Sequence, residues 1–254
     1  MTKRDYEMEW MGLGYRKGMG SAKFLPPPDR NFVRAYHLTS AEHGISSISL
    51  RRLKVARFSE VNDPFELMAL NFHKREIRQL VRRFKDSHNS KTGLLCFSAN
   101  WTNPVLWSHY ATRHEGICLG FDLRREKVQE VLCKDKRLPP ELNDKDPLAI
   151  PKTLQNLLLL TKSRHYQYEE EFRVFLELSG ANREQGLYFR PFDKDLRLAE
   201  VILGPRNGLS LPAIRELTDT TNRGAVVFRA RLAFRSFDVV GDGRYPPEIS
   251  SDAA

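Results

Sequence analysis

Short strand-like segments alternate with amphipathic helices along this chain from Arg34 to about residue 232. The clearest strand pattern lies at residues 168–178, YEEEFRVFLEL, where polar and apolar side chains alternate with a period of two. Phe172, Val174, Leu176 and Leu178 share one face, and we expect that face to be buried. Strands mixed with helices of this length predict an α+β fold, with a mixed or split β-sheet flanked by helices.

The same pattern predicts three regions along the chain. Residues 1–30 contain several Gly, Met and Lys residues, end close to three consecutive prolines, and show little periodicity, so we expect a loosely packed or disordered leader. Residues 31–240 are predicted to form a single domain. Residues 241–254 are predicted to be a flexible tail. Within the domain, Thr39 followed by Glu42 has the spacing of a capping box and predicts a helix start at Thr39.

Composition excludes several classes of protein. Hydrophobic residues make up 41% and charged residues 29% of the 254 positions, which is enough for a sizeable core. No run of about 18 apolar residues occurs, and the N-terminus lacks the pattern of a secretory signal, so we expect a cytoplasmic protein that does not enter membranes. Three cysteines without CxxC spacing predict neither a disulfide framework nor a zinc site, and no metal is expected.

The net charge of +9 has one conspicuous source, the segment KREIRQLVRRFK at residues 74–85. Its apolar residues recur at helical spacing, so the segment is predicted to be an amphipathic helix with a basic face. Such a face is either an ordinary solvated surface or a site that binds phosphates of nucleic acid or of a dinucleotide. The residues that would contact nucleic acid are Arg75, Arg78, Arg82 and Lys85.

Common catalytic and nucleotide-binding signatures are absent from the sequence. The glycines of GLGYRKG follow no strand and miss the dinucleotide spacing, and no Walker loop, HExxH or GxSxG motif occurs. Polar and aromatic residues instead cluster at the predicted ends of elements, where sites are usually built. Each of them also has an ordinary structural explanation, as a core histidine, a turn residue, a packed aromatic or a member of a salt-bridge ladder.

Five motifs, taken together, carry a more specific signal. The segments YHLT, NDPFE, CFS, WSHYATRHEGICLGFD and YEEEFRVF occur in this order between Tyr36 and Phe175. They resemble an uncharacterised bacterial family, a domain of unknown function, whose members read YHYT, NDPFE, CFS, WSHY, HxGxxxxF and ExEwR. This chain departs from that pattern with Leu38 in place of a frequent aromatic residue and Tyr166 where tryptophan is common. The family resemblance implies no particular activity.

A second and more distant resemblance does imply chemistry. A strand that ends in Tyr-His-x-Thr, followed by a helix and a strand, and much later a strand that opens on glutamate, is similar to the layout of ADP-ribosyltransferases. In those enzymes the histidine contacts the ribose of NAD, an aromatic ring stacks on nicotinamide, and the glutamate promotes nicotinamide departure. The resemblance implies His37 as the ribose contact and Glu171, with Glu169 as its alternate, as the catalytic carboxylate. The stacking residue would be Tyr110 or Trp107.

Thr39, Asn62 and Arg173 complete the candidate contacts to NAD, which would be a substrate. Arg173 leaves two alternatives open, because its guanidinium would either pair with Glu171 as part of the structure or bind a phosphate. The leading interpretation is an ADP-ribosyltransferase-like enzyme, in the manner of a toxin or phage-defence effector, that modifies nucleic acid or a protein acceptor. The rivals are a nucleic-acid-binding or nuclease-like defence protein, and an interaction domain without catalysis. The oligomeric state is not predicted.

Overall fold

A computed structural model describes residues 25–71, 73–139 and 150–245 of the chain. The predicted leader, up to residue 24, and the predicted tail, from residue 246, lie outside the described residues. Five α-helices and thirteen strands occur in the described part. The helices are α1 (Ala41–Leu50), α2 (Arg75–Lys91), α3 (Pro104–Tyr110), α4 (Lys152–Leu160) and α5 (Leu211–Thr221).

The strands form one large mixed sheet and one short parallel pair, which confirms the α+β class. The strands are β1 (Phe32–Thr39), β2 (Arg52–Arg57), β3 (Thr92–Ser98), β4 (Ile117–Arg124), β5 (Gln129–Glu130), β6 (Leu132–Lys134), β7 (Thr161–Ser163), β8 (Glu171–Glu177), β9 (Asn182–Glu184), β10 (Leu187–Pro191), β11 (Leu196–Leu203), β12 (Val226–Leu232) and β13 (Val239–Gly241). The order in the large sheet is β13-β12-β11-β4-β1-β3-β2-β10-β9, and β8 joins it through β3 and β5. Strands β6 and β7 form the separate pair.

Strand β3 is the point at which the sheet divides. Strand β8 pairs along the whole of β3, from Thr92↔Glu177 to Ser98↔Glu171. The other edge of β3 is shared, because β1 pairs with it at Ser98 and β2 pairs with it at Gly93 and Leu94. Residues of β3 between these two pairings therefore face a gap in the sheet.

Helix boundaries follow local capping chemistry. Ser40, rather than the predicted Thr39, is the N-cap of α1, and its side chain accepts a hydrogen bond from His43 N at 3.2 Å. Thr39 remains the last residue of β1, so the predicted helix start was wrong by one residue. At α3, Asn103 followed by Pro104 predicts an N-cap with a first-turn proline, and the structure confirms it, since Asn103 accepts a hydrogen bond from Val105 N at 2.9 Å.

Both faces of the sheet are covered. One face carries the main apolar cluster, which includes Val33, Phe97, Phe121 and Phe172. The opposite face packs in two parts, one around Trp107 beside β1, β4 and β12, the other around α2 and α4. No described helix has the length and apolar character that crossing a bilayer requires.

Strand β13 occupies part of the region that was predicted to be a flexible tail. Gly241 is its last residue, and Asp242, which is buried, donates its main-chain N–H to the Arg229 carbonyl at 2.8 Å. The packed part of the chain therefore extends beyond residue 240.

Candidate functional site

Strand β8 places its charged side chains on a buried face, which the alternation pattern did not indicate. Phe172 packs into the main apolar cluster, and so by alternation Glu171 and Arg173 point to the opposite face. That face is covered as well, and Arg173 is 0% exposed. Buried charges are costly unless they are paired, so their partners decide what this region does.

Arg173 is held by two carboxylates and a carbonyl. Its Nη1 and Nη2 bind Glu66 Oε1 and Oε2 at 2.7 and 2.8 Å, a two-pronged pair. Nε donates to Glu171 Oε1 at 2.8 Å, Nη2 also reaches Glu171 Oε2 at 3.3 Å, and Nη1 donates to the Leu159 carbonyl at 2.7 Å. These five contacts match the five N–H donors of a guanidinium. Arg173 therefore has no donor left for a phosphate, and the structural alternative is the one that the geometry supports.

Lys162 connects the two glutamates that were considered as catalytic acids. Its Nζ lies 2.6 Å from Glu169 Oε2 and 2.7 Å from Glu171 Oε2, and the side chain is almost fully buried. Burial alone would lower the pKa of Lys162, but the two carboxylates outweigh it and raise the pKa above its ordinary value. Burial would likewise raise the pKa of Glu171, yet Arg173 and Lys162 hold it below its ordinary value.

Glu169 lies between this buried network and the surface. The Tyr110 hydroxyl donates to Glu169 Oε1, and Asn62 Nδ2 donates to the Tyr110 oxygen at 2.6 Å. Burial and then the hydrogen bond to Glu169 raise the pKa of Tyr110, so the phenol keeps its proton and acts as the donor. Asn62 is exposed, and a ligand that approached from solvent would meet Asn62 and Tyr110 before the carboxylate.

Half-buried tyrosines surround Glu169, and we call them the tyrosine rim: Tyr110, Tyr166 and Tyr168. The Lys162 ammonium lies 5.0 Å from the centre of the Tyr166 ring. The ring of His109, which is exposed, lies 6.1 Å from that of Tyr168. A carboxylate bordered by aromatic rings suits a ligand that carries positive charge on a flat, partly apolar group.

Three of the sequence motifs meet at this place. NDPFE supplies Asn62 and Glu66, WSHY supplies Tyr110, and YEEEFRVF supplies Glu169, Glu171 and Arg173. Five of the predicted catalytic and cofactor residues are therefore connected in one hydrogen-bonded chain.

His37 and Thr39 are not part of that chain. Tyr36 pairs with Ser98, which pairs with Glu171, so these three residues share a face of the sheet. His37 and Thr39 alternate with Tyr36 and point to the other face, where the His37 ring meets Phe97 at 6.0 Å. The implied cleft containing both His37 and Glu171 is not formed.

His37 has a structural role instead. Its Nδ1 lies 3.0 Å from the Cys96 carbonyl oxygen, in the gap of β3 that neither β1 nor β2 fills. A carbonyl oxygen can only accept, so Nδ1 is the protonated nitrogen. Burial lowers the pKa of His37 and keeps the ring neutral.

Trp107 is also unavailable to a ligand. Its side chain is 0% exposed within the cluster on the second face of the sheet, and its indole N–H donates to the Trp101 carbonyl at 2.6 Å. Of the two aromatic residues proposed for stacking, only Tyr110 reaches the rim.

The basic segment forms α2 with the predicted amphipathic character. Ile77, Leu80, Val81 and Phe84 are buried, whereas Arg75, Arg78 and Arg82 are exposed and Lys85 is half-buried. Arg78 donates to the His73 carbonyl at 2.7 Å. Binding of nucleic acid by this face stays a prediction.

Two members of the network, Glu66 and Lys162, were not predicted from the sequence. Glu66 belongs to the NDPFE motif but was not among the candidate residues, and Lys162 belongs to none of the motifs. Lys162 is identified only by its contacts with two buried carboxylates, Glu169 in a 3-10 turn and Glu171 in β8, and those contacts are tertiary. Within the described ranges, no group of three or more His, Cys, Asp or Glu side chains is arranged to hold a metal ion.

Comparison with known proteins adds no assignment. No family model, curated protein or solved structure matches the chain. The site must therefore be interpreted from its own geometry.

Proposed function

We propose that this protein is an NAD-using enzyme of the ADP-ribosyltransferase kind, with Glu169 rather than Glu171 as its catalytic carboxylate. The observation that carries the proposal is the position of Glu169 beneath the tyrosine rim, where Tyr110 and Lys162 orient it. Glu171 is a positioning residue in this scheme, because its oxygens are already engaged by Arg173 and Lys162. The ADP-ribosyltransferase-like description of the fold belongs to the same proposal.

The charge of the site supports a cationic substrate group. Glu66, Glu169 and Glu171 face Lys162 and Arg173, which leaves one negative charge when all five are ionised. The nicotinamide ring of NAD is a flat cation, and aromatic faces beside a carboxylate attract such a ring. Tyr166 and Tyr168 are the rim residues that would contact it.

The chemistry requires a carboxylate at the sugar. The bond between the ribose anomeric carbon and the nicotinamide nitrogen breaks, and its electron pair leaves with neutral nicotinamide. The anomeric carbon gains positive charge, and a carboxylate that accepts from the ribose 2′-hydroxyl stabilises that state. Water or a nucleophile of a protein or nucleic-acid acceptor then adds to the carbon and loses a proton. The ribose hydroxyl would take the place of the Tyr110 hydroxyl on Glu169.

The ribose contact that the resemblance gives to His37 has to come from another residue. His109 is exposed beside Tyr168 and belongs to the same helix as Tyr110. In this proposal it fills that role from the rim.

Release of labelled nicotinamide from NAD, in the presence of protein and nucleic-acid acceptors, tests the proposal. Glu169→Gln keeps the shape of the side chain but removes its charge, so we expect the rate to fall about 10²-fold or more with little change in NAD affinity. Glu170→Gln is the matched control, since Glu170 is exposed and adjacent, and it should retain the wild-type rate. A folded wild-type protein that neither binds NAD nor releases nicotinamide would refute the proposal.

The exposed basic face of α2 favours a second candidate function, nucleic-acid binding. Arg75 and Arg82 form no ion pair in the part of the chain that the structure describes, so their charges are open to a polyanion. The variant Arg75→Glu/Arg82→Glu should weaken binding to duplex DNA or RNA and flatten its salt dependence. Arg235→Glu/Lys194→Glu, at two exposed loop positions outside α2, makes the same change in net charge and serves as the control. Equal binding by both variants would assign α2 to the solvated surface and favour an interaction domain.

A further inference from the structure

A cavity of about 740 Å³ lies apart from the tyrosine rim, at the first half of β11. Strand β12 begins to pair with β11 only at Glu200, and Leu196 bonds back to Asp193, so within the described residues positions 197–199 have no strand on this edge. The end of α5, at Thr220 and Thr221, forms one wall and residues 25–28 form another. Successive residues of a strand direct their main-chain groups to alternate sides, so this edge offers N–H and C=O groups to whatever fills the cavity.

The lining of the cavity is strongly basic. Four arginines come from four different parts of the chain, and they are Arg34, Arg51, Arg197 and Arg223. The acidic residues of the lining are Asp122 and Asp193, and both are engaged, Asp122 by Arg34 at 2.5 Å and Asp193 by Arg190 at 2.6 Å. The lining therefore carries an excess of two positive charges.

Three of the arginines are held in place by the protein. Arg34 is buried and pairs with both Asp122 and Glu200, the latter at 3.0 Å. The Arg197 guanidinium carbon lies 3.7 Å from the centre of the Phe32 ring, a cation–π contact. Arg51 Nη1 donates to the Thr221 carbonyl at 2.8 Å. Because these side chains are already oriented, a bound anion would not bear the full cost of ordering them.

Strand register explains how two of the arginines come together. Arg34 pairs with Asp122 across β1 and β4, and Asp122 pairs with Arg197 across β4 and β11, so the three lie in one row. Arg34 is engaged by Asp122 and Glu200. Arg197 Nη2, in contrast, lies 3.9 Å from Asp122 Oδ2, so Arg197 is the arginine of this row whose donors are the more open to a ligand. Arg223 is exposed and completes the group from the turn after α5.

We propose that this cavity binds a small organic phosphate of about nucleotide size. Guanidinium groups from several directions match the several oxygens of a phosphate dianion, since each group can donate two parallel hydrogen bonds. Phe192, Leu198 and the prolines of residues 26–28 give the organic part of the ligand apolar contacts. The volume lies within the ~300–1,000 Å³ typical of small-molecule sites. This inference is independent of the proposed function, because Glu169 and the tyrosine rim do not line the cavity.

Calorimetric titration of the full chain with ADP, pyrophosphate and adenosine tests the inference. We expect saturable binding of ADP and weaker binding of pyrophosphate, with no binding of adenosine. Arg197→Gln/Arg223→Gln should weaken ADP binding about tenfold or more, because it removes charge-assisted hydrogen bonds while sparing the buried Arg34. Arg235→Gln is the matched control, an exposed arginine outside the cavity, and should bind like the wild type.

Three results would overturn the inference. They are no saturable binding of ADP or pyrophosphate to the folded wild type, equal affinity of the double variant and the control, and binding of citrate as tight as that of ADP. The last result would assign the cavity to carboxylates rather than to phosphates. A thermal unfolding profile of each variant, expected to match the wild type, shows that the loss is local.

Discussion

Arg173 shows how one buried side chain organises three distant segments of sequence. Its guanidinium joins Glu66 before α2, Leu159 in α4 and Glu171 in β8. Glu66 and Arg173 are both 0% exposed, so neither charge has an alternative partner in water. The energetic significance of such a pair appears mainly when one partner is removed, because the other charge is then buried alone.

Replacing Arg173 with methionine should therefore destabilise the protein by about 3–5 kcal/mol, since Glu66 loses its partner and Glu171 keeps only Lys162. Adding Glu66→Gln to that variant should recover part of the loss, because it removes one uncompensated charge. Urea unfolding monitored by fluorescence measures both effects. Arg183→Met, on exposed strand β9, is the control and should change stability by less than about 0.5 kcal/mol. A loss for Arg173→Met as small as that of the control would show that the network is dispensable.

At the scale of elements, phenylalanine is buried in a strand and exposed in a loop of the same protein. Phe121 in β4 is 0% exposed in the main apolar cluster, whereas Phe234 and Phe237, in the loop between β12 and β13, are 90% and 97% exposed. Burial of Phe121 in the strand face removes its ring from water, and that removal stabilises the folded state. The loop gains no such stabilisation from its phenylalanines.

Phe121→Ala should accordingly cost about 3–5 kcal/mol of unfolding free energy, because it leaves a cavity in the densest part of the core. Phe237→Ala removes the same atoms from an exposed loop and should change stability by less than about 0.5 kcal/mol. Chemical denaturation of the two variants in parallel gives the comparison. If Phe237→Ala proved as destabilising as Phe121→Ala, the loop would have to be packed against something in solution.

At the scale of the whole molecule, His37 and Glu171 both make the protein less stable as the pH falls. Burial lowers the pKa of His37 below its ordinary 6.5, so the unfolded chain binds that proton first and stability falls as pH drops below about 6.5. The pKa of Glu171 is held below its ordinary 4.5 by Arg173 and Lys162 despite burial. Its contribution is present above pH 4.5 and is lost as pH falls through the lower, folded value.

We therefore expect the unfolding free energy to decline from pH 7.5 to 5 and more steeply below 4.5. Each group contributes at most about 1.4 kcal/mol per pH unit. His37→Asn keeps a donor near the Cys96 carbonyl but cannot titrate, so it should flatten the upper part of the decline. His114, whose pKa burial also lowers, retains its own contribution in that variant. Urea titrations at four pH values provide the measurement, and an unchanged slope in His37→Asn would show that His37 does not control it.

Local patterns in the sequence were sufficient for several elements. The period-two segment at residues 168–178 became β8, the segment with i, i+3, i+4 spacing became α2, and Asn103 with Pro104 marked the start of α3. These features depend on side-chain alternation and on capping within a few residues, so the chain needs no distant contact to specify them. The boundary at Thr39 failed by one residue because two neighbouring hydroxyl residues can both cap, and the position where β1 ends decides between them.

Tertiary structure alone decided which functional candidates meet. Three separate motifs supply Asn62, Tyr110 and the group Glu169, Glu171 and Arg173. The pairing of β3 with β8 and the packing of α3 brought them together. Strand register also separated His37 from Glu171, because a shift of one residue reverses the face of a side chain. Lys162 became part of the site only because β7 lies next to β8 in space. Burial and partner choice for charged groups depend on contacts between residues far apart in sequence, and no local pattern contains that information.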